Sequence, residues 1–247
     1  VGREALAMGR RFNGDKKMSL DEKTLDYSCR ILISDDYPDG LEWVNPVVIQ
    51  HISEFEEMLK VALSLTEIRR VLEIGVYEGG TAYLWAQLVS KFSDGKIYGI
   101  DHHFGSDTPG AWPMNAMNNI PPIYRGKVAG VHVVEIEGRS EDQETIERLR
   151  TLLNGSKIDL LFHDGDHTYD GAKTDIENYC QFVKDGGLIA ICDWYDETHG
   201  VSRYWPELKQ GRESWEFMIQ TQPEEIRRSF RWQGFKNGIG IVRWRNE

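Results

Sequence analysis

Cysteine is scarce here: three residues in a chain of 247, Cys29, Cys180 and Cys192. Their spacing fits no metal site, and an odd number fits no self-contained disulfide framework, so buried thiols in a reducing compartment are expected, with a cytoplasmic location. Long apolar runs are also missing, which argues against a membrane-spanning helix. The opening residues, "VGREALAMGRRFNGDKK", are polar and basic rather than leader-like, and the stretch before Met18 is set aside in the fold argument. Positive charge is in deficit. Twenty-nine Lys and Arg face forty Asp and Glu, a net charge of −11. A chain so acidic is a poor match for nucleic acid or an anionic membrane, and neither is expected as a partner.

What remains is an ordinary globular composition, 40% hydrophobic, on a length that buries a core without staples. Short apolar runs alternate with helical patterns, the mark of a parallel sheet covered on both faces. The periodicity predicts a helix over Val47–Leu65, a strand over Arg70–Ile74, a helix over Thr81–Phe92 and a strand over Lys96–Asp101. "VHVVEIEG" supplies a third strand, Glu141–Leu153 a helix, "IDLLFHD" a fourth strand, Gly171–Val183 a helix and "GLIAICD" a fifth strand. Two apolar stretches around Asn237-Gly238 read as a closing antiparallel pair. The expected fold is therefore α/β and Rossmann-like, a seven-stranded, mostly parallel sheet with a terminal antiparallel strand and helices on both faces. Residues 1–45 stand apart as an extension, a cap over an acceptor or a dimer contact. Residues 46–247 form the main domain, with 102–127 as an insertion expected to fold over a ligand.

The first βα turn, "VLEIGVYEGG", carries Glu73, Gly75, Gly79 and Gly80. Glycines let the backbone turn sharply and approach a ligand closely. A dinucleotide site would carry G-x-G-x-x-G to meet a pyrophosphate. Here the pattern is E-x-G-x-x-x-G, and the carboxylate of Glu73 suits a positively charged amino group instead. Asp101, at the end of the second strand, is placed to accept ribose hydroxyls. Ser140, in "EGRSED", is a candidate border for an adenine.

From about residue 68 to 244 the chain resembles class I S-adenosylmethionine-dependent methyltransferases. "VLEIGVYEGGT" is similar to the first motif of metal-dependent O-methyltransferases, the catechol type included. The resemblance implies that Gly75, Tyr77 and Thr81 contact the methionine part of the cofactor, and that Asp101 binds its ribose.

"FHDGDHTYDG" is the second informative stretch. Asp164 and Asp193 end the fourth and fifth strands, within reach of one cation, and hard carboxylate oxygens favour Mg²⁺. His167 follows Asp164 by three residues, so one loop presents both a ligand and an imidazole able to take a hydroxyl proton. The arrangement resembles macrolide-sugar O-methyltransferases, whose D-G-x-H motif implies a metal ligand at Asp164, a base at His167 and a second ligand at Asp193. Catechol-type enzymes follow that last aspartate with asparagine, where this chain has Trp194, and the third ligand stays open among Asp166, Asp196, a remote acid or none. His163 is expected to pack inward; His102, His103 and His199 read as surface or loop residues.

The expected activity is Mg²⁺-assisted O-methylation of a small hydroxylated acceptor, a sugar favoured over a catechol, by a possible homo-oligomer. A cephalosporin-hydroxylase-like oxidative enzyme on the same fold and a non-catalytic nucleoside-binding protein are the alternatives.

Overall fold

A computed structural model describes residues 52–76, 80–102, 132–218 and 238–246. The 1–45 extension, Tyr77, Gly79 and all of the expected insertion beyond His102 lie outside the described residues.

The chain runs α1 (Ile52–Leu65), β1 (Arg70–Ile74), α2 (Gly80–Val89), β2 (Lys96–Asp101), β3 (His132–Glu137) and α3 (Gln143–Leu153). It continues with β4 (Ile158–His163), α4 (Tyr169–Tyr179), a 3₁₀ turn (Cys180–Phe182), β5 (Val183–Cys192), α5 (Val201–Lys209), β6 (Ser214–Phe217) and β7 (Ile239–Arg243). All seven strands join one sheet in the order β3-β2-β1-β4-β5-β7-β6. The first five are mutually parallel, and β7 runs antiparallel to both β5 and β6. The seven-stranded, mostly parallel sheet read from the sequence is thus the observed one.

Alternation along the strands sorts side chains into two layers. Val71, Leu160, Phe162, Leu188, Ala190, Ile239 and Ile241 face α1 and α2. Leu72, Ile74, Leu161, Ile189, Ile191 and Val242 face α3, α4 and α5. In the first layer, Trp85 of α2 lies 4.8 Å from Phe55 of α1 and 5.2 Å from Phe162 of β4, ring centre to ring centre. Such tilted contacts tie helices to sheet beyond simple area burial. In the second, Trp205 of α5 lies against the backbone of Gly240; a Cβ there would come 2.6 Å from the ring. Trp205 also donates to Glu216 Oε1 at 2.7 Å. Tyr204 and Trp205 are buried, so these aromatics pack α5 onto the sheet rather than offering a stacking face.

Two details depart from the sequence reading. Strand β5 begins at Val183, not Gly187, because the 3₁₀ turn ends α4 early and Val183 pairs with Ile158 across an irregularity. The antiparallel neighbour of β7 is Ser214–Phe217, which pairs Trp215 with Ile241. The apolar stretch expected to pair before Asn237 lies outside the described residues. Among the described residues, no helix is long and apolar enough to cross a membrane.

At the amino end of the sheet, the buried carboxylate of Asp159 accepts from the backbone N–H of both Arg69 and Arg70, each at 2.8 Å, and pairs with Lys184. This end lies opposite the glycine turn. Asp159→Ala leaves two amides unsatisfied, and we expect a loss of about 3 kcal/mol in urea unfolding with ligand binding unchanged.

Candidate active site at the carboxyl edge of the sheet

Strand order reverses between β1 and β4, and ligands of open α/β sheets settle at such a point. Gly75 leaves β1 there with φ +82°, and a Cβ on it would lie 2.2 Å from the carbonyl oxygen of Asp164. Only glycine permits both the left-handed turn and this approach. Its N–H donates to Ile100 O at 2.9 Å, Asp164 N–H donates to Ile74 O at 2.8 Å, and Val76 N–H donates to Asp101 Oδ2 at 2.9 Å. These bonds lock the ends of β1, β2 and β4 together.

Three carboxylates gather around the crossing. Glu73 is almost wholly buried on β1, and its Oε2 has no hydrogen-bond partner among the described residues. Burial pushes its carboxyl well above the ordinary 4.5, and the charges of Asp164 and Asp101 push the same way. A pocket so negative, with one oxygen unsatisfied, calls for a cationic group. Thr81 is buried in the first turn of α2, which begins at Gly80. Ser140 follows β3, and its carbonyl accepts from Tyr179 OH at 2.9 Å, which pins that loop to α4.

The second group lies at the ends of β4 and β5. His167 stands between two acids, with Nε2 3.3 Å from Asp164 Oδ1 and Nδ1 3.1 Å from Asp193 Oδ2. Burial disfavours a charged ring, but the two carboxylates outweigh it and raise His167 to about 10. The pair of acids is thus arranged to hold positive charge between them. Asp193 itself adopts φ +59°, a left-handed backbone that costs a non-glycine residue on the order of 1 kcal/mol. Trp194, next in sequence, packs against Tyr195 and Trp205.

The sequence reading left His199 aside, yet it belongs here. Its Nδ1 lies 3.5 Å from Asp193 Oδ2, and its ring centre is 5.1 Å from that of His167. The cause is long-range. Gly200 presses against the 168–169 backbone so closely that a Cβ would meet Tyr169 N at 1.9 Å, and Val201 N–H donates to His167 O at 3.1 Å. Only the following glycine hinted at this. Asp166 and Asp196, two candidate third ligands, each brace a turn through Oδ1: Asp166 accepts from Thr168 N–H, and Asp196 from Thr198 N–H and hydroxyl. His163 is fully buried 3.0 Å from Asp175 Oδ2, beneath the loop.

Residues 72–194, about half the chain, match the family described as a methyltransferase domain. The R132 protein of Acanthamoeba polyphaga mimivirus is 33% identical over 125 residues, and the match spans about half of each protein, 51%. The O-methyltransferase TomG of Streptomyces achromogenes, solved with S-adenosylmethionine, superposes with a TM-score of 0.52 at 18% identity over 93% of both chains. The N-methyltransferase NodS of Bradyrhizobium japonicum gives 0.52 at 14% identity, over 78% of this chain and 96% of its own. At such identities the likeness is one of fold, and the two acceptor atoms differ.

The family match identifies residues 72–194 as a methyltransferase domain, for which the sequence leads us to expect S-adenosylmethionine as cofactor. The residues around Gly75 fit that cofactor, since its sulfonium and ammonium charges answer the Glu73, Asp101 and Asp164 cluster.

Because folding raises the Glu73 carboxyl, the native state holds a proton that the unfolded chain releases above pH 4.5. Stability therefore falls as pH rises from 4.5 towards the folded value. Glu73→Gln removes this liability. Thermal melts of the ligand-free protein at pH 7.5 (about the working range) should show a gain of a few degrees, about 1 kcal/mol, with a flatter dependence on pH.

Proposed function

We propose that this chain transfers the methyl group of S-adenosylmethionine to a hydroxyl oxygen of a small molecule, a sugar or natural-product glycoside in preference to a catechol. The observation that carries the reading is the adjacency of two charge systems. The acids around Gly75 suit a cationic donor, and Asp164 belongs both to them and to the His167–Asp193 group.

In this reading Glu73 faces the ammonium group of the donor, Asp101 its ribose hydroxyls and Ser140 its adenine, while Gly75, Tyr77, Gly79, Gly80 and Thr81 line the methionine end. The sulfonium is already activated, so alignment matters more than acid catalysis. What remains is the acceptor proton, and an unperturbed alcohol is a poor nucleophile at neutral pH. His167 is the group that takes it.

Asp164 and Asp193 would hold a divalent cation, Mg²⁺ by the preference of carboxylate oxygens, and two acids already arranged around one imidazolium fit a positive centre. When bound, such an ion polarises the acceptor oxygen and lowers its pKa. His167, held between Asp164 and Asp193, is placed beside any ion those acids would hold and keeps the role of proton acceptor.

The test is turnover with S-adenosylmethionine against a panel of sugars, glycosides and catechols, read as S-adenosylhomocysteine formed. We expect product with a hydroxylated acceptor, and a fall in kcat of about 10²–10³ for His167→Ala with cofactor affinity retained. Wild-type turnover in that variant removes His167 from the role. Tight cofactor binding with no product across the panel favours a binding protein instead.

A further inference from the structure

The site contains one side chain that the reading above does not use. His199 Nδ1 is shielded from solvent and makes no hydrogen bond among the described residues, although it is 3.5 Å from Asp193 Oδ2. A buried polar atom without a partner is uncommon and asks for one. The neighbouring acids do not supply it, since Asp166 and Asp196 are turned into their own loops.

The geometry resembles a coordination sphere. One ligand atom each from His167, Asp193 and His199 all lie within 4.8 Å of one another. Donors about 2.0–2.2 Å from a common ion stand roughly 3.0–3.5 Å apart at right-angle or tetrahedral positions. The His199-to-Asp193 distance, 3.5 Å, falls in that range. The Gly200 contact and the Val201-to-His167 bond hold His199 in this place, so its position is built into the loop packing.

We propose that His199 is a protein ligand of the cation at Asp193, and that its nitrogen turns the site from Mg²⁺ towards a borderline first-row divalent ion such as cobalt, nickel or zinc. Mg²⁺ takes oxygen donors and dehydrates reluctantly, whereas imidazole suits the later metals, whose affinity for nitrogen sites rises along the series. The inference rests on the methyl-transfer reading only for a cation being used at this site; the ligand assignment stands on the donor geometry alone.

The experiment uses the full chain stripped with a chelator, titrated calorimetrically with CoCl₂ and MgCl₂, with the visible spectrum of bound Co²⁺ recorded. Wild type should bind Co²⁺ at least about tenfold more tightly than Mg²⁺. His199→Ala should lose about tenfold or more in Co²⁺ affinity and shift the spectrum, with Mg²⁺ affinity little changed. His199→Gln, which keeps the bulk, should do the same, and a thermal melt confirms that each variant is folded. Equal affinity of wild type for both metals, or wild-type Co²⁺ binding in a folded His199 variant, overturns the proposal. S-adenosylmethionine titrated in parallel separates the two claims. Cofactor binding without Co²⁺ preference sinks this inference alone; Co²⁺ preference without cofactor binding sinks the transfer reading alone.

Discussion

The contact on which the site depends is the one between the backbone of Gly75 and that of Asp164 and Gly165. Two adjacent parallel strands end here and send their chains to opposite faces of the sheet, so a crevice opens between them. The crossing is tight enough to exclude any Cβ at Gly75. It is also tied by hydrogen bonds from Gly75 to Ile100 and from Asp164 to Ile74. Three acids of the site are positioned from this point: Glu73 two residues before it, Asp101 bonded to Val76 just after it, Asp164 across it.

Charge placement follows from that geometry and explains why a fold would tolerate it. Burying Glu73 beside two other carboxylates is unfavourable on its own, and burial and those charges both raise its carboxyl. His167 relieves a similar conflict one step further along, with an acid on each nitrogen. Local rules of stability are broken at one edge of the sheet, while at the opposite end Asp159 is fully engaged by two amides and a lysine. Such asymmetry is expected where a ligand supplies the missing partner.

Much of this was legible in the sequence. Strands β1, β2 and β4 are buried on both faces, so they read as short apolar runs with ends fixed by glycine or acid, and their limits agree with the structure within a residue. Glu73, Gly75, Asp101, Asp164, His167 and Asp193 were legible because strand ends carry the site in this architecture, and sequence order alone tells which residue ends each strand. Strand β6 was not. Its four residues, "SWEF", are half-exposed and follow a helix, and only pairing with β7 makes them a strand. His199 was hidden for the same kind of reason. Nothing local distinguishes it from a surface histidine; its place depends on the Gly200 backbone meeting Tyr169 some thirty residues earlier.

The account as a whole stands on a cationic nucleoside donor seated among the acids around Gly75. Calorimetric titration of the purified chain with S-adenosylmethionine tests this most directly. The predicted result is saturable binding at one site per chain, abolished when Gly75 carries a side chain in a protein that still folds. Absence of binding to the wild-type chain, or equal binding after that change, would contradict it.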